Sequence, residues 1–228
     1  MLRALSLTLG QLGDGAILRI LVKSLLLTLL ICVAGGFAAA TMLDRVLAGY
    51  ADYMSDTYFA VFEAIAVIAI VFFGFRIVAV PVIGFFADEV VRAIEARHYP
   101  QAALAAKPVT FGFSLKLGLA SILRLVALNL VALPLYVILV FTAIGPIVAF
   151  IAVNALLLGR DLGEMVASRH LDRVALKDWL RTTRGLRGVT GLIVTGLFMV
   201  PFANLLAPVI GAGMMTHLFH GRLSIDVA

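Results

Sequence analysis

The sequence predicts an all-α integral membrane protein: two long transmembrane helices, two further apolar runs broken by proline and glycine, and amphipathic cytoplasmic helices. Three observations carry this. The chain is 63% hydrophobic and 14% charged, with a mean hydropathy of +1.11, whereas soluble domains run at about 45–50% apolar and about 25% charged residues. Its apolar residues are gathered into runs of at least the roughly 20 residues that one crossing needs. Its cations are distributed unevenly between the ends of those runs, as the positive-inside rule requires of cytoplasmic segments.

Residues 1–228 are read as one membrane domain. Leu2, Leu5, Leu9 and Leu12 recur at helical spacing, so 1–19 is expected to lie as a helix in the interface. Gly13 and Gly15 break it, and Asp14 is placed to cap the next helix. Small residues Ala38–Ala40 imitate a cleavage site, but the apolar character continues past them, so the first span is expected to be retained. That span is 20–47. A polar acidic loop follows at 48–57, with Asp52, Asp56 and the belt-forming Tyr50 and Tyr53. The second span is 59–83, where Glu63 and Arg76 are expected to snorkel to opposite interfaces.

Residues 85–99 change character. Phe86, Val90, Ala93 and Ile94 alternate at helical period with Asp88, Glu89, Arg92 and Glu95, which predicts an amphipathic cytoplasmic helix with surface pairs Glu89–Arg92 and Arg92–Glu95. Pro100 ends it, and 101–116 is a connector. The apolar run 117–158 is interrupted by Pro134 and Gly145–Pro146. Residues 160–188 are polar and basic, with cytoplasmic helices broken near Leu171–Asp172. The run 189–215 contains VPFANLLAPVIGAG (200–213), in which Pro201, Asn204 and Pro208 are at odds with a plain spanning helix.

Charge then constrains topology. Of 18 Lys and Arg residues, only Arg45 lies by the 48–57 loop, which places both termini in the cytoplasm. Lys107 and Lys116 precede 117–158, and Arg160 to Arg187 follow it, so this run crosses an even number of times or re-enters. The 189–215 run is bounded by Arg187 and Arg222. At 27 residues it is too short for two crossings, so a re-entrant hairpin with its tip in 200–213 is expected. Segments 133–146 and 200–211 share a proline–apolar–proline layout, a weak internal repeat of the kind that marks broken helices in transporters.

The net charge of +5 and pI near 9.7 fit cytoplasmic anchoring; no basic run interleaved with aromatics points to nucleic acid. Cys32 is expected to be a small core hydrophobe. No nucleophile elbow, P-loop or zincin motif is present, so neither an enzyme nor a cofactor is expected. Glu164 and His170, beside Asp161 and Asp172, read as ion-pairing residues. His217 and His220 share a helix face at i,i+3 but lack a third ligand, so no metal site is expected. The polar residues inside apolar runs, Arg124, Asn129 and Asn204, are the candidates for a pathway.

Four segments carry a family resemblance: IGPIVAF (144–150), GRDLGEM with SRH (159–170), LRTTRGLRG (180–188) and, above all, VPFANLLAPVIGAG. In order and spacing, roughly residues 117–218 resemble the CysZ-type sulfate permeases and the wider family that includes the etoposide-induced 2.4 membrane proteins. The resemblance implies two long helices, two partial hairpins, a homo-oligomer in the bilayer of a bacterial inner membrane, and sulfate or a related small anion passing into the cytoplasm without an ATPase. It also implies an anion site before the first membrane helix, where the permeases carry Gly-Leu-Arg-Arg. Here the aligned residues are Ala16, Ile17, Leu18 and Arg19, so only the second arginine is kept. A helix N-terminus offers free N–H groups to a dianion, and Arg19 would add a charged fork. The other reading is a membrane-shaping scaffold that transports nothing.

Overall fold

The structure is a computed structural model that describes residues 2–47, 58, 61–62, 64–69, 75, 78, 82, 86–107, 111–200 and 203–226. Every regular element among them is helical: α1 (Leu2–Gln11), α2 (Gly15–Leu47), α3 (Ala87–His98), α4 (Pro100–Ala105), α5 (Phe111–Leu139), a 3-10 turn (Val140–Thr142), α6 (Gly145–Ala167), α7 (Arg173–Thr182), α8 (Arg184–Met199) and α9 (Ala203–Asp226). The chain divides into two compact units, Leu18–Phe86 and the remainder, Met1–Ile17 with Ala87–Ala228.

The smaller unit holds most of α2. Gly15–Arg45 is long and apolar enough to cross a membrane. Its hydroxyls are satisfied within the helix, Ser24 on the Leu21 carbonyl and Thr28 on the Ser24 carbonyl, each at 2.8 Å, as lipid demands. The interfacial helix is shorter than expected. The chain turns at Gln11, whose carbonyl accepts from Asp14 N–H at 2.8 Å, so residues 15–19 are already the first turns of α2. Within the expected span 59–83, residues 61–62, 64–69, 75, 78 and 82 are helical. Glu63, Arg76 and the 48–57 loop lie outside the described residues.

In the larger unit, the 117–158 run is a helical hairpin. Lys116–Thr142 and Gly145–Ala167 are both long and apolar enough to cross, so length does not confine this hairpin to one leaflet. Pro134 does not break it but lies inside α5. The reversal comes at Ala143, which takes a positive φ of 58°, and at Gly145, where a side chain would collide with Leu139 and Thr142. Gly145 N–H donates to the Thr142 hydroxyl at 3.0 Å. The connector 101–116 is not a plain loop, because it contains α4 and the first residues of α5.

Residues 160–167, expected in a cytoplasmic segment, continue α6. The break at Leu171–Asp172 is built by Asp172, whose carboxylate caps α7 by accepting from Val174 and Ala175 N–H. A further break, unexpected, falls at Thr183. Arg187 holds that corner, its Nε donating to Thr183 Oγ1 at 3.1 Å and its Nη2 to the Leu180 carbonyl.

The last hairpin is α8 and α9. Its tip lies between Met199 and Ala203, not across the whole of 200–213, because Pro208 sits inside α9. With 16 residues, α8 is about 24 Å long and falls short of the hydrocarbon thickness of about 30 Å. Pro134 and Pro208 of the proline repeat both lie inside helices, and Pro201 lies outside the described residues. Residues 207–217 of α9 are buried, and α1, α3, α6 and α8 all pack on this helix. Gly213 admits α1 and α3, because a Cβ there would stand 2.6 Å from Thr8 Cγ2 and 3.1 Å from Ile94 Cδ1.

The closest seam is α6 on α8. A Cβ at Gly159 would overlap the Arg187 carbonyl, and one at Gly191 would overlap the Ala155 carbonyl. Backbone cannot rotate away as a side chain can, so Gly191→Val should force the helices apart at a cost of about 1–3 kcal/mol or more. A lowered melting temperature and a broadened size-exclusion peak in detergent are the expected results. Gly185→Ala, which meets open space, should change neither.

Candidate functional site

Glu95 is 0% exposed, although the helical period had placed it on a polar surface beside Arg92. The reason is that α3 lies with Val90, Val91 and Ile94 buried in the same interface, and Glu95 follows Ile94 into it. Its partners come from distant parts of the chain. Arg169 Nη2 donates to Glu95 Oε2 at 2.9 Å, and the Nε2 atoms of His170 and His220 lie 2.7 and 3.3 Å from Oε1. Arg169 and His170 belong to the link between α6 and α7. That link is set by turns, Arg169 N–H on the Val166 carbonyl and His170 N–H on the Ala167 carbonyl, and is tied to Lys107 N–H through the Arg169 carbonyl at 2.8 Å. His220 projects from α9. Burial by itself would raise the Glu95 pKa, but hydrogen bonds from His170 and His220 and the charge of Arg169 outweigh it and hold the carboxyl at about 2.

A second layer adjoins this carboxylate. Tyr99 stacks on His220 with ring centroids 4.4 Å apart, and its hydroxyl shares a hydrogen bond with His217 Nδ1 at 2.9 Å. His217 Nε2 faces the Gln11 side-chain amide, 3.1 Å from its Nε2 and 3.3 Å from its Oε1, and Gln11 Nε2 also donates to His98 Nε2 at 2.8 Å. All 4 histidines of the chain therefore share one network with Glu95, Tyr99 and Gln11. Phe219, fully buried, fills the space between His170 and Trp179. Beside this layer a cavity of about 320 Å³ is lined by Gln11, Asp14, Ala16, Ile17, Ala93, Ile94, Ala96, Arg97 and His98.

The expected site residues are not gathered here. Ala16, Leu18 and Arg19 are exposed on the first turns of α2, and Ile17 is buried. Ala16 and Ile17 line the cavity, where Arg97 is held by Asp14 at 2.6 Å. Arg124 is paired inside the α5–α6 hairpin with Asp161 at 3.1 Å and Glu164 at 2.5 Å, and Ser121 donates to Asp161. Asn129 is used within α5, donating to the Leu125 carbonyl at 2.8 Å and accepting from the Tyr136 hydroxyl at 3.3 Å. Asn204 is buried in the first turn of α9, its N–H on the Val200 carbonyl at 3.1 Å. His217 and His220 are not tail residues but core positions of α9. His220 alone of the two meets Glu95, together with His170, and no sequence motif joins these three residues. The usable signal was chemical: every histidine stands near a segment end or in a short polar stretch flanking an apolar run.

His217 gives this network a pH signature. Burial, with His98 and His220 nearby, pushes its pKa down to about 4. In an unfolded chain a histidine takes up its proton near 6.5. The folded protein keeps His217 neutral further down, so its contribution, on the order of 3 kcal/mol, is complete above about pH 6.5 and is lost as pH falls toward 4. The melting temperature should drop over that window, and His217→Asn, which does not titrate, should drop less. Parallel curves would show that His217 is not the group responsible.

Comparison with known families matches residues 4–208 to the family described as sulfate transporter CysZ/etoposide-induced protein 2.4. No curated protein matches the chain. The match covers nearly the whole sequence, including the α5–α6 hairpin, α8 and the first residues of α9, and it takes in Gln11, Glu95, His98, Tyr99, Arg169 and His170 of the buried network. With three helices among the described residues long and apolar enough to cross a membrane, this multi-pass helical membrane protein belongs to the sulfate transporter CysZ/etoposide-induced protein 2.4 family.

Proposed function

We propose that the protein is a permease of a bacterial inner membrane that passes sulfate or a related small oxyanion into the cytoplasm. It works without an ATPase or a cofactor and performs no catalysis of its own. It is assembled as a homo-oligomer, with both termini cytoplasmic. The observation that carries this reading is the family match over residues 4–208, whose description names a sulfate transporter. The cation count supports the orientation, because all but Arg45 of the 18 Lys and Arg residues fall outside the 48–57 side of the first two spans.

The anion is received at the head of α2. The first turn of a helix presents N–H groups without intrahelical acceptors and the positive end of the dipole. Arg19 follows on the exposed side of the helix and supplies the charge. Asp14 stands at the same terminus, bonded to Arg97, so a dianion arriving there meets one fixed negative charge that Arg97 offsets.

One observation favours the scaffold reading. Arg124, the cation inside the α5–α6 hairpin, is matched by two carboxylates, so it has no charge left over for a passing anion. Against it, the apolar face of α3 is buried on α9 rather than free to enter a leaflet.

Uptake of radiolabelled sulfate by liposomes holding only this protein tests the proposal. Flux above empty liposomes, competed by selenate or molybdate, is expected; inserted, folded protein without flux sinks it. Arg19→Ala should weaken sulfate binding about tenfold, since a hydrogen bond to a charged group contributes about 1.5–3 kcal/mol, and Arg19→Lys should recover part of it. Unchanged affinity in Arg19→Ala would remove this residue from the site.

A further inference from the structure

The triangle of Glu95 Oε1, His170 Nε2 and His220 Nε2 has an alternative occupant to protons. These three atoms lie within 4.8 Å of one another, and they come from α3, the α6–α7 link and α9. As hydrogen bonds they require both imidazoles to donate through Nε2 to the same carboxylate oxygen. The same donors are a well-known zinc set. Zinc takes histidine nitrogen at about 2.0–2.1 Å and carboxylate oxygen at about 2.0–2.2 Å in tetrahedral array, which sets ligand atoms about 3.3 Å apart. The His220–Glu95 edge is already 3.3 Å, and the His170–Glu95 edge, at 2.7 Å, opens by a small side-chain adjustment.

We propose that Glu95 Oε1, His170 Nε2 and His220 Nε2 bind a divalent transition metal, with zinc preferred; each imidazole stays neutral by carrying its proton on Nδ1, which frees the Nε2 lone pair, and the ion clamps the three segments together. The surroundings resemble the outer shell such ligands need. Arg169 occupies the other carboxylate oxygen at 2.9 Å, leaving Oε1 to the metal. Phe219 stacks on His170 and Tyr99 on His220, which fixes the two ring planes. Charge then specifies the fourth ligand. Glu95 and Arg169 already cancel, so a buried dication is tolerated only with an anionic ligand such as hydroxide or a small oxyanion. Arg169 Nε is buried without a hydrogen-bond partner among the described residues, and the same guanidinium is bonded to Glu95, so it offers a spare donor for that ligand.

The test uses tag-free full-length protein in detergent, stripped with a chelator and titrated with zinc chloride alone, and separately with cobalt(II). About one zinc per chain, a rise of several degrees in melting temperature, and the visible absorption of tetrahedral cobalt are expected. His170→Gln and His220→Gln keep an N–H donor toward Glu95 but ligate zinc poorly, so each should fold, lose the cobalt spectrum and bind at least tenfold more weakly. His217→Asn, outside the triangle, should bind as wild type does. A folded wild type that retains no stoichiometric zinc overturns the proposal. So does equal binding by the two glutamine variants, which would place the metal elsewhere.

Discussion

A carboxylate sealed from water must be answered by the protein around it, and Glu95 is that carboxylate here. Removing an ion from water costs several kcal/mol even after relaxation. Arg169 and two imidazoles meet that cost only if α3, the α6–α7 link and α9 are all in register. The arrangement is therefore as much a specification of fold as a source of stability. A helix slipped by one residue would turn Glu95 away from its partners and leave the guanidinium buried alone.

The rest of the larger unit is arranged around the same helix. Most of α9 beyond its first turn is buried, and its glycines set how near its neighbours come: Gly213 admits α1 and α3, and Gly211 admits Leu162 of α6 and Val194 of α8. Where lipid faces the chain, apolar side chains are exposed along α5, as Leu123, Val131 and Ile138 are. There polar groups turn inward or back onto their own helix. Asn129 and Asn154 donate to carbonyls four residues earlier, and Arg124 is neutralised by Asp161 and Glu164. This economy of polar atoms follows from a solvent that offers no hydrogen bonds.

Several features were legible in the sequence because their causes are local. Asp172 begins α7 because its carboxylate accepts from the amides of Val174 and Ala175. The 117–158 run reverses near Gly145–Pro146 because a side chain at Gly145 would meet Leu139 and Thr142. Proline by itself misled. Pro134 and Pro208 read as breaks, yet both lie inside helices, as membrane helices allow when neighbours re-satisfy the backbone. Glu95 misled for the opposite reason. Helical period reports which residues share a face, not which face a neighbouring helix will cover, and α9 covers the one that Glu95 edges.

The sequence by itself determined the membrane class, the helical character, the reversal inside 117–158 and the family, because composition, apolar run length and short motifs carry that information without long-range contacts. Tertiary structure decided the rest. Glu95 meets Arg169 and His220 across 74 and 125 residues of chain, and no spacing rule spans such separations. Only the packing of α3 and the α6–α7 link against α9 brings the histidines to one carboxylate. That packing is dictated by shape, small residues at the seams and the exclusion of water, not by any pattern within a single segment.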